Sequence, residues 1–397
     1  MRIEQVIFPT GERLPMLLDD DSLPVVPACE WILSRRQLAF ATLSRNMNEV
    51  MAVHGWGRKR RIDIYERIRS GRQFSEAEIT SLIEHLRRPQ ATNRTVTKLA
   101  VSPDTANKRL STAHRHLVWY IEELIAQSGT ASDLRDALVA MREKLLKTLL
   151  AAFQSPEGNR KFHKQLTLSQ AQFLQDALDP EGSIRFGRDE RGRLRNFLMV
   201  CLLTFLGLRT GELLSLRLQD VMFGAITSIS IKRRGMSADD PRGRPPRVKR
   251  LGRILPIDSP RLAILLDDYI TNERQWFIDH GKGKESGFLF VSDEGEPLSA
   301  DRLRQLFTEL RKRFPKELPD HLTPHSMRHT FTDSVYRELR RQGIEEAQIE
   351  KILMWLRGDS SPSSQDTYIN YDAQGREAVV RHQSQVASKR NASDVLL

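Results

Sequence analysis

Leu322-Thr323-Pro324-His325-Ser326-Met327-Arg328-His329-Thr330 is the stretch on which the reading of this chain turns. Thr323 offers a hydroxyl to cap a helix, and Pro324 suits the first helical position, where a missing N–H costs nothing. The helix runs on through Phe331 and Val335. His325 and Arg328 stand three apart, so an imidazole and a guanidinium share one face. Taken alone, such a pair is ordinary surface decoration, but two other segments change its weight. Upstream, Thr204-Phe205-Leu206-Gly207-Leu208-Arg209-Thr210-Gly211-Glu212-Leu213-Leu214-Ser215-Leu216 reads as an apolar helix ending at Gly207, a turn carrying Arg209, and a new helix capped by Thr210. Glu212 falls in that first turn, where a carboxylate suits the helix dipole and can steady the Arg209 fork for a phosphate. Downstream, the small-residue loop from Gly358 leads into a short helical stretch that carries Tyr368 and Tyr371.

Composition sets the frame around these segments. A chain of 397 residues is too long for one core, so two or three domains are expected. With 39% hydrophobic and 28% charged residues it reads as a soluble, folded protein. A net charge of +11 and a pI of 9.8 favour a polyanionic partner, nucleic acid ahead of an anionic membrane. Composition does not separate an enzyme from a passive binder. Cys29 and Cys201 are too few for a disulfide framework or a four-ligand zinc site, and both read as small buried hydrophobes. The N-terminus shows no signal pattern, and the longest apolar run, Phe197 to Leu208, is too short to span a bilayer. A cytoplasmic protein without a membrane partner is the expectation.

Residues 1–35 read as extended pieces with turns, broken at Gly11-Glu12 and kept from helix by Pro15, Pro24 and Pro27. From Trp31 the apolar spacing turns helical through Leu33, Leu38, Leu43, Met47 and Met51. Ser75-Glu76-Ala77-Glu78 resembles a capping box before Ile79, Leu82, Ile83 and Leu86. A third helix starts near Pro103-Asp104, with Lys108, Arg109, His114, Arg115 and His116 assigned to its polar face. The basic run Arg58-Lys59-Arg60-Arg61, together with Lys108, Arg109 and Arg115, reads as a set of phosphate contacts. Such contacts give affinity and register but no sequence code. A further helix carries Leu134, Leu138, Met141, Leu145 and Leu149, and the turn-rich Ser155-Pro156-Glu157-Gly158-Asn159-Arg160-Lys161 marks a domain boundary. The second half opens near Leu166, with Ser169 as a helix cap.

The order Arg, then His-x-x-Arg, then Tyr, in the second half of a basic chain, resembles the tyrosine recombinase or phage integrase family. Gly207 to Leu213 resembles its first arginine box and Thr323 to Phe331 its second. Gly358 to Tyr368 resembles its third, with the spacing that makes Tyr368, not Tyr371, the nucleophile. The resemblance covers roughly residues 166 to 385 strongly and the N-terminal helices more weakly. It implies a mainly α chain with a small antiparallel β-sheet, divided as follows. An N-terminal segment takes 1–35, a helical core-binding domain 36–155, a linker 156–165, a catalytic domain 166–385 and a tail 386–397. One position departs from the family: His or Trp usually follows the glycine of the third box, and here Asp359 does. An aspartate there repels a phosphate unless neutralised, and Arg357 is the adjacent cation. The family also implies a lysine on a hairpin. Ile229-Ser230-Ile231-Lys232 reads as one strand, Val248 to Ile257 contains the other, and Arg233 to Arg247 suits a loop. Lys249 best matches the family pattern, with Lys232 as the competitor.

What the resemblance implies chemically is transesterification. Arg209 and Arg328 oppose charge growing on the phosphate, His325 accepts the proton of Tyr368, and Lys249 protonates the leaving 5′ oxygen. The product is a 3′-phosphotyrosyl link, reached without cofactor, ATP or metal. The sequence agrees, with no phosphate-binding Gly-x-x-x-x-Gly-Lys-Ser/Thr loop and no clustered acidic or Cys/His ligands. The implied partners are double-stranded DNA, three further copies of the chain and accessory proteins. A C-terminal segment from Ala378-Val379-Val380 to Val386-Ala387 would be exchanged between neighbours. Two alternatives stay open: a binder that has lost cleavage through Asp359, and a type IB-like topoisomerase.

Overall fold

A hairpin opens the chain, β1 (Arg2–Ile7) against β2 (Arg13–Leu18), antiparallel with Arg2 opposite Leu18. The structure is a computed structural model; it describes residues 1–89, 100–127, 131–155, 165–187, 189–248, 252–359 and 368–387, the last with side chains from Gly375. These fall into two compact units, Met1–Lys161 and Phe162–Leu397.

In the first unit six helices follow the hairpin: α1 (Val26–Leu33), α2 (Phe40–Arg60), α3 (Ile64–Arg69), α4 (Glu76–Arg87), α5 (Pro103–Ala126) and α6 (Ser132–Ala151). Leu14 and Leu17 of β2 bury against Trp31, Ile32, Leu43 and Met47, so the opening residues share the core of the helices. The expectation that prolines keep 1–35 free of helix fails at α1. Pro27 sits in its first turn, where no intrahelical N–H bond is lost. The capping box at Ser75 forms, with Glu78 N–H donating to the Ser75 hydroxyl and Ser75 N–H to the Glu78 carboxylate. His116 corrects a second expectation. It is buried, not on a polar face, and its Nε2 lies 2.8 Å from the Tyr65 hydroxyl, which also lies 3.1 Å from His54 Nε2.

The second unit starts with α7 (Leu168–Leu178), capped by Thr167 rather than Ser169, with Gln170 returning the bond to Thr167 N–H. Helix α8 (Glu190–Leu206) is buried along nearly its whole length, which explains its continuous apolar run. After α9 (Thr210–Leu213) come β3 (Val221–Met222), β4 (Thr227–Ile231) and β5 (Arg253–Ile257), an antiparallel sheet in the order β3-β4-β5. Lys232 lies one residue past β4, and Arg233 to Arg247 form a loop. That loop is pinned by buried Arg242, which binds Asp240 and donates to the carbonyls of Leu214 and Leu298. Helices α10 (Pro260–Asp268), α11 (Arg274–His280), α12 (Ala300–Arg313), α13 (Pro324–Arg341), α14 (Glu346–Leu356) and α15 (Tyr368–Val386) complete the unit.

Helix α13 packs on α8, and α15 packs on α13, α14, α8, α7 and β5. Ala378, Val379 and Val386 of α15 are buried in the unit's core, and Gln383 exchanges hydrogen bonds with Pro256 O and Asp258 N–H. The segment through Ala387 is therefore packed within its own unit. Cys201 is fully buried and Cys29 partly so. Among the described residues no helix is long and apolar enough to cross a membrane, and no three His, Cys, Asp or Glu side chains cluster for a metal.

Candidate active site

Two helix ends build the site. Helix α8 stops at Gly207, whose φ of 59° and close neighbour exclude a side chain: a Cβ there would stand 2.3 Å from the Phe331 ring. The chain then turns through Arg209, which itself occupies the cap position of α9, so Thr210 is inside the helix and not its cap. The side chain of Glu212 closes that turn by accepting the Arg209 backbone N–H at 2.9 Å. The second end is that of α14. Gly358, at φ 63°, donates to Trp355 O, and the Asp359 N–H donates to Met354 O at 2.7 Å. This pair of bonds is a Schellman turn. It leaves the Arg357 carbonyl facing away from the helix ladder.

The arginine boxes meet there. Arg209 Nη1 donates to Arg357 O at 2.8 Å, and Arg328 Nη2 donates to the same oxygen at 2.7 Å. Arg328 Nη1 donates to Gly207 O at 2.8 Å, so it ties both helix ends together. The Asp359 carboxylate binds Arg209 Nη2, lies 2.9 Å from Arg357 Nη2 and 3.6 Å from Arg328 Nη2. Burial works to raise its carboxyl, but the charges of Arg209 and Arg357 hold it below the usual carboxylate range. Arg357 was the expected neutraliser of Asp359; Arg209 is the partner the sequence did not announce.

Beneath this group sits Glu212, fully buried and charged. Arg253, at the start of β5, grips it with Nη1 to Oε1 at 3.2 Å and Nη2 to Oε2 at 2.9 Å. Burial pushes the Glu212 carboxyl up, and the hydrogen bonds and charge of Arg253 more than reverse that. The Arg209 Nη1 also reaches Glu212 Oε1 at 3.1 Å. Arg328, with 5% of its side chain exposed, is pulled down to about 9 by burial first and by the Arg209 charge second; it still carries its proton at neutral pH. Arg209 keeps 25% of its side chain exposed and is the guanidinium more open to solvent.

Sequence reasoning missed Arg253 and the Arg357 carbonyl. The only signal for Arg253 was a charge opening an otherwise apolar strand, Arg253-Ile254-Leu255-Pro256-Ile257.

Other expected residues lie elsewhere or outside the described set. Thr323 caps α13 by accepting Ser326 N–H, with Pro324 in the first turn. His325 is exposed on that turn, its ring edge-on to His329 with centroids 4.5 Å apart. Lys232 is half exposed and lies 3.6 Å from Asp220, a buried carboxylate that Arg234 reaches at 2.5 Å. Lys249 lies outside the described residues, and so do the side chains of Tyr368 and Tyr371; the backbone of Tyr368 begins α15.

In the first unit, Arg58 pairs with Asp20 at 2.9 Å, Arg60 donates to Ser81 Oγ at 2.6 Å and Lys108 reaches Asp104 at 2.5 Å. Lys59, Arg61 and Arg115 are exposed. Arg109 is committed to protein: it donates to the carbonyls of Leu86 and Arg88, at the end of α4.

The second unit is mostly helical with a small antiparallel sheet, and it gathers guanidiniums from distant segments at two helix ends. The chain belongs to the phage integrase family, whose model matches residues 165–371, more than half of its 397 residues. It is similar to a tyrosine recombinase XerC of Methylobacterium sp. (strain 4-46), 29% identical over 196 residues that make up 49% of this chain and 52% of that protein. A second XerC, of Methylobacterium nodulans, is 28% identical over 226 residues, 56% of this chain and 59% of that one. The chain thus spans little more than half the length of these relatives. A crystal structure of the XerH site-specific recombinase bound to difH substrate aligns with a TM-score of 0.38 at 13% identity, covering 81% of this chain and 84% of that one.

Proposed function

We propose that the protein is a site-specific DNA recombinase that cuts and rejoins strands through a covalent link between Tyr368 and a 3′ phosphate. The Tyr368 oxygen attacks phosphorus and the bond to the 5′ oxygen breaks. The phenol's proton passes to His325, and the leaving oxygen takes one from Lys249, with Lys232 as the other donor to test. A different strand's 5′ hydroxyl reverses the step. Arg209 and Arg328 oppose the charge that grows on the non-bridging oxygens, and one such donor typically contributes about 2.7–4 kcal/mol. Double-stranded DNA is the partner, held by exposed cations such as Lys59, Arg61 and Arg115 of the first unit, with four copies assembling on it.

The observation that carries this reading is the meeting of Arg209 and Arg328 on one carbonyl and one carboxylate, across 148 residues of chain in the first case. Two forks so placed suit one phosphate. The test is covalent capture. Nicked duplexes drawn from the DNA surrounding the protein's gene are incubated with it, denatured, and the trapped DNA sequenced. The wild type should yield an adduct at a defined position and Tyr368→Phe none. No adduct from the wild type on any fragment overturns the reading.

Asp359 on the arginine pair favours a second reading, a sequence-specific binder without cleavage. It predicts that footprinted DNA is bound at a defined site and never trapped.

A further inference from the structure

We propose that Asp359 is a specificity-determining residue: its carboxylate stands on Arg209, Arg328 and Arg357 as an internal stand-in for a phosphate, and only DNA able to displace it gains the site. The proposal rests on the reading above and says which DNA is accepted.

Three observations support it. Both carboxylate oxygens are committed to guanidiniums, Oδ1 to Arg209 and Oδ2 to Arg357 and Arg328, the way two non-bridging phosphate oxygens would be. The carboxylate is placed there by its backbone, because the Asp359 N–H is fixed to Met354 O in the turn that ends α14. A carboxylate at the C-terminal end of a helix is disfavoured by the helix dipole, so α14 itself gains nothing from it. Asp359 is also 19% exposed, so its side chain can leave the pair for water when another anion arrives.

A phosphate and this carboxylate therefore compete for the same donors. A short duplex, with few contacts elsewhere, loses that competition. A duplex held along its length by the basic surface wins it. Specificity arises because binding energy gathered at a distance is used to complete the site.

The test uses the full chain, inorganic sulfate as the probe anion, and Asp359→Asn and Asp359→Ser as variants whose folding is checked by thermal melting. Wild-type protein should show no saturable sulfate binding below tens of millimolar by calorimetry. Each variant should bind sulfate at least tenfold more tightly, and adding Arg209→Ala should erase the gain. Variants should also form adducts on truncated nicked duplexes that the wild type leaves intact. Equal sulfate affinity in wild type and variants overturns the proposal. So does tight, saturable sulfate binding by the wild type that Arg209→Ala removes, a result available even where neither variant folds. A sulfate gain with no adduct from any protein upholds Asp359 as competitor and removes the recombinase reading instead.

Discussion

Glu212 remains ionised in the core because Arg253 binds both of its oxygens, and Arg209 and Arg328 add charge nearby. Removing one partner of such a buried pair leaves an uncompensated charge, which costs about 3–5 kcal/mol. Glu212→Gln should therefore lower the unfolding free energy by that amount in urea titration. A loss under about 1 kcal/mol would mean that the pair is inert. The sign of the pH effect follows. The carboxyl is held below its unfolded value, so its contribution is complete above about pH 4.3 and is lost as pH falls further. At this scale much of the site could be read in advance. Arg209, Glu212 and Arg328 are residue types whose spacing carries meaning. Arg253 was hidden because one arginine among 62 basic residues announces nothing without its burial. The Arg357 carbonyl was hidden for a deeper reason: backbone oxygens have no letter in the sequence.

Elements place these groups, and the glycine that ends α8 is the clearest case. Its left-handed backbone costs an L-residue about 1–2 kcal/mol, and forcing a methyl against Phe331 adds about 1–3 kcal/mol. Gly207→Ala should thus lose about 2–5 kcal/mol in chemical denaturation, with Phe331→Leu in the same chain restoring part of it. An unchanged midpoint would show that the turn tolerates a side chain. Helix starts were legible where a hydroxyl stood in the right place, as at Ser75 and Thr323. They were misread where the backbone decided instead. Arg209 caps α9 although Thr210 is the better capping side chain, because Glu212 supplies the bond from inside the helix. Helix α1 was missed because Pro27 was taken as a breaker when it stands in a first turn. The sheet was expected as two strands with a long insertion; a third, β3, adds only two residues, too short to show alternation.

At the scale of the whole molecule, three imidazoles among the described residues are buried in neutral form. Burial pulls His54 and His382 down to about 4 and His116 to about 3. His54 and His116 flank the Tyr65 hydroxyl in the first unit, and His382 donates from Nε2 to Thr204 O in the second. An unfolded histidine titrates near 6.5, so the unfolded chain takes up protons that the folded chain refuses. Stability from these groups is complete above about pH 6.5 and falls by about 2 kcal/mol per imidazole on going to pH 5. Melting temperature should drop between pH 7 and pH 5, and His382→Gln should flatten that slope in the second unit. A melt independent of pH in this range would show that the rings are not buried as neutral groups. The expected boundary at 156–165 lies mostly outside the described residues, though the two units divide at Lys161. One feature reaches further still. Arg209 meets Arg357 and Asp359 only after some 150 more residues have been made. On the ribosome, a nascent chain that has already exposed Arg209 has only the local contact with Glu212 to hold that side chain. The arginine pair therefore closes only once the chain through Asp359 has been made, and a fragment stopped before it lacks the carbonyl and the carboxylate that join the two guanidiniums.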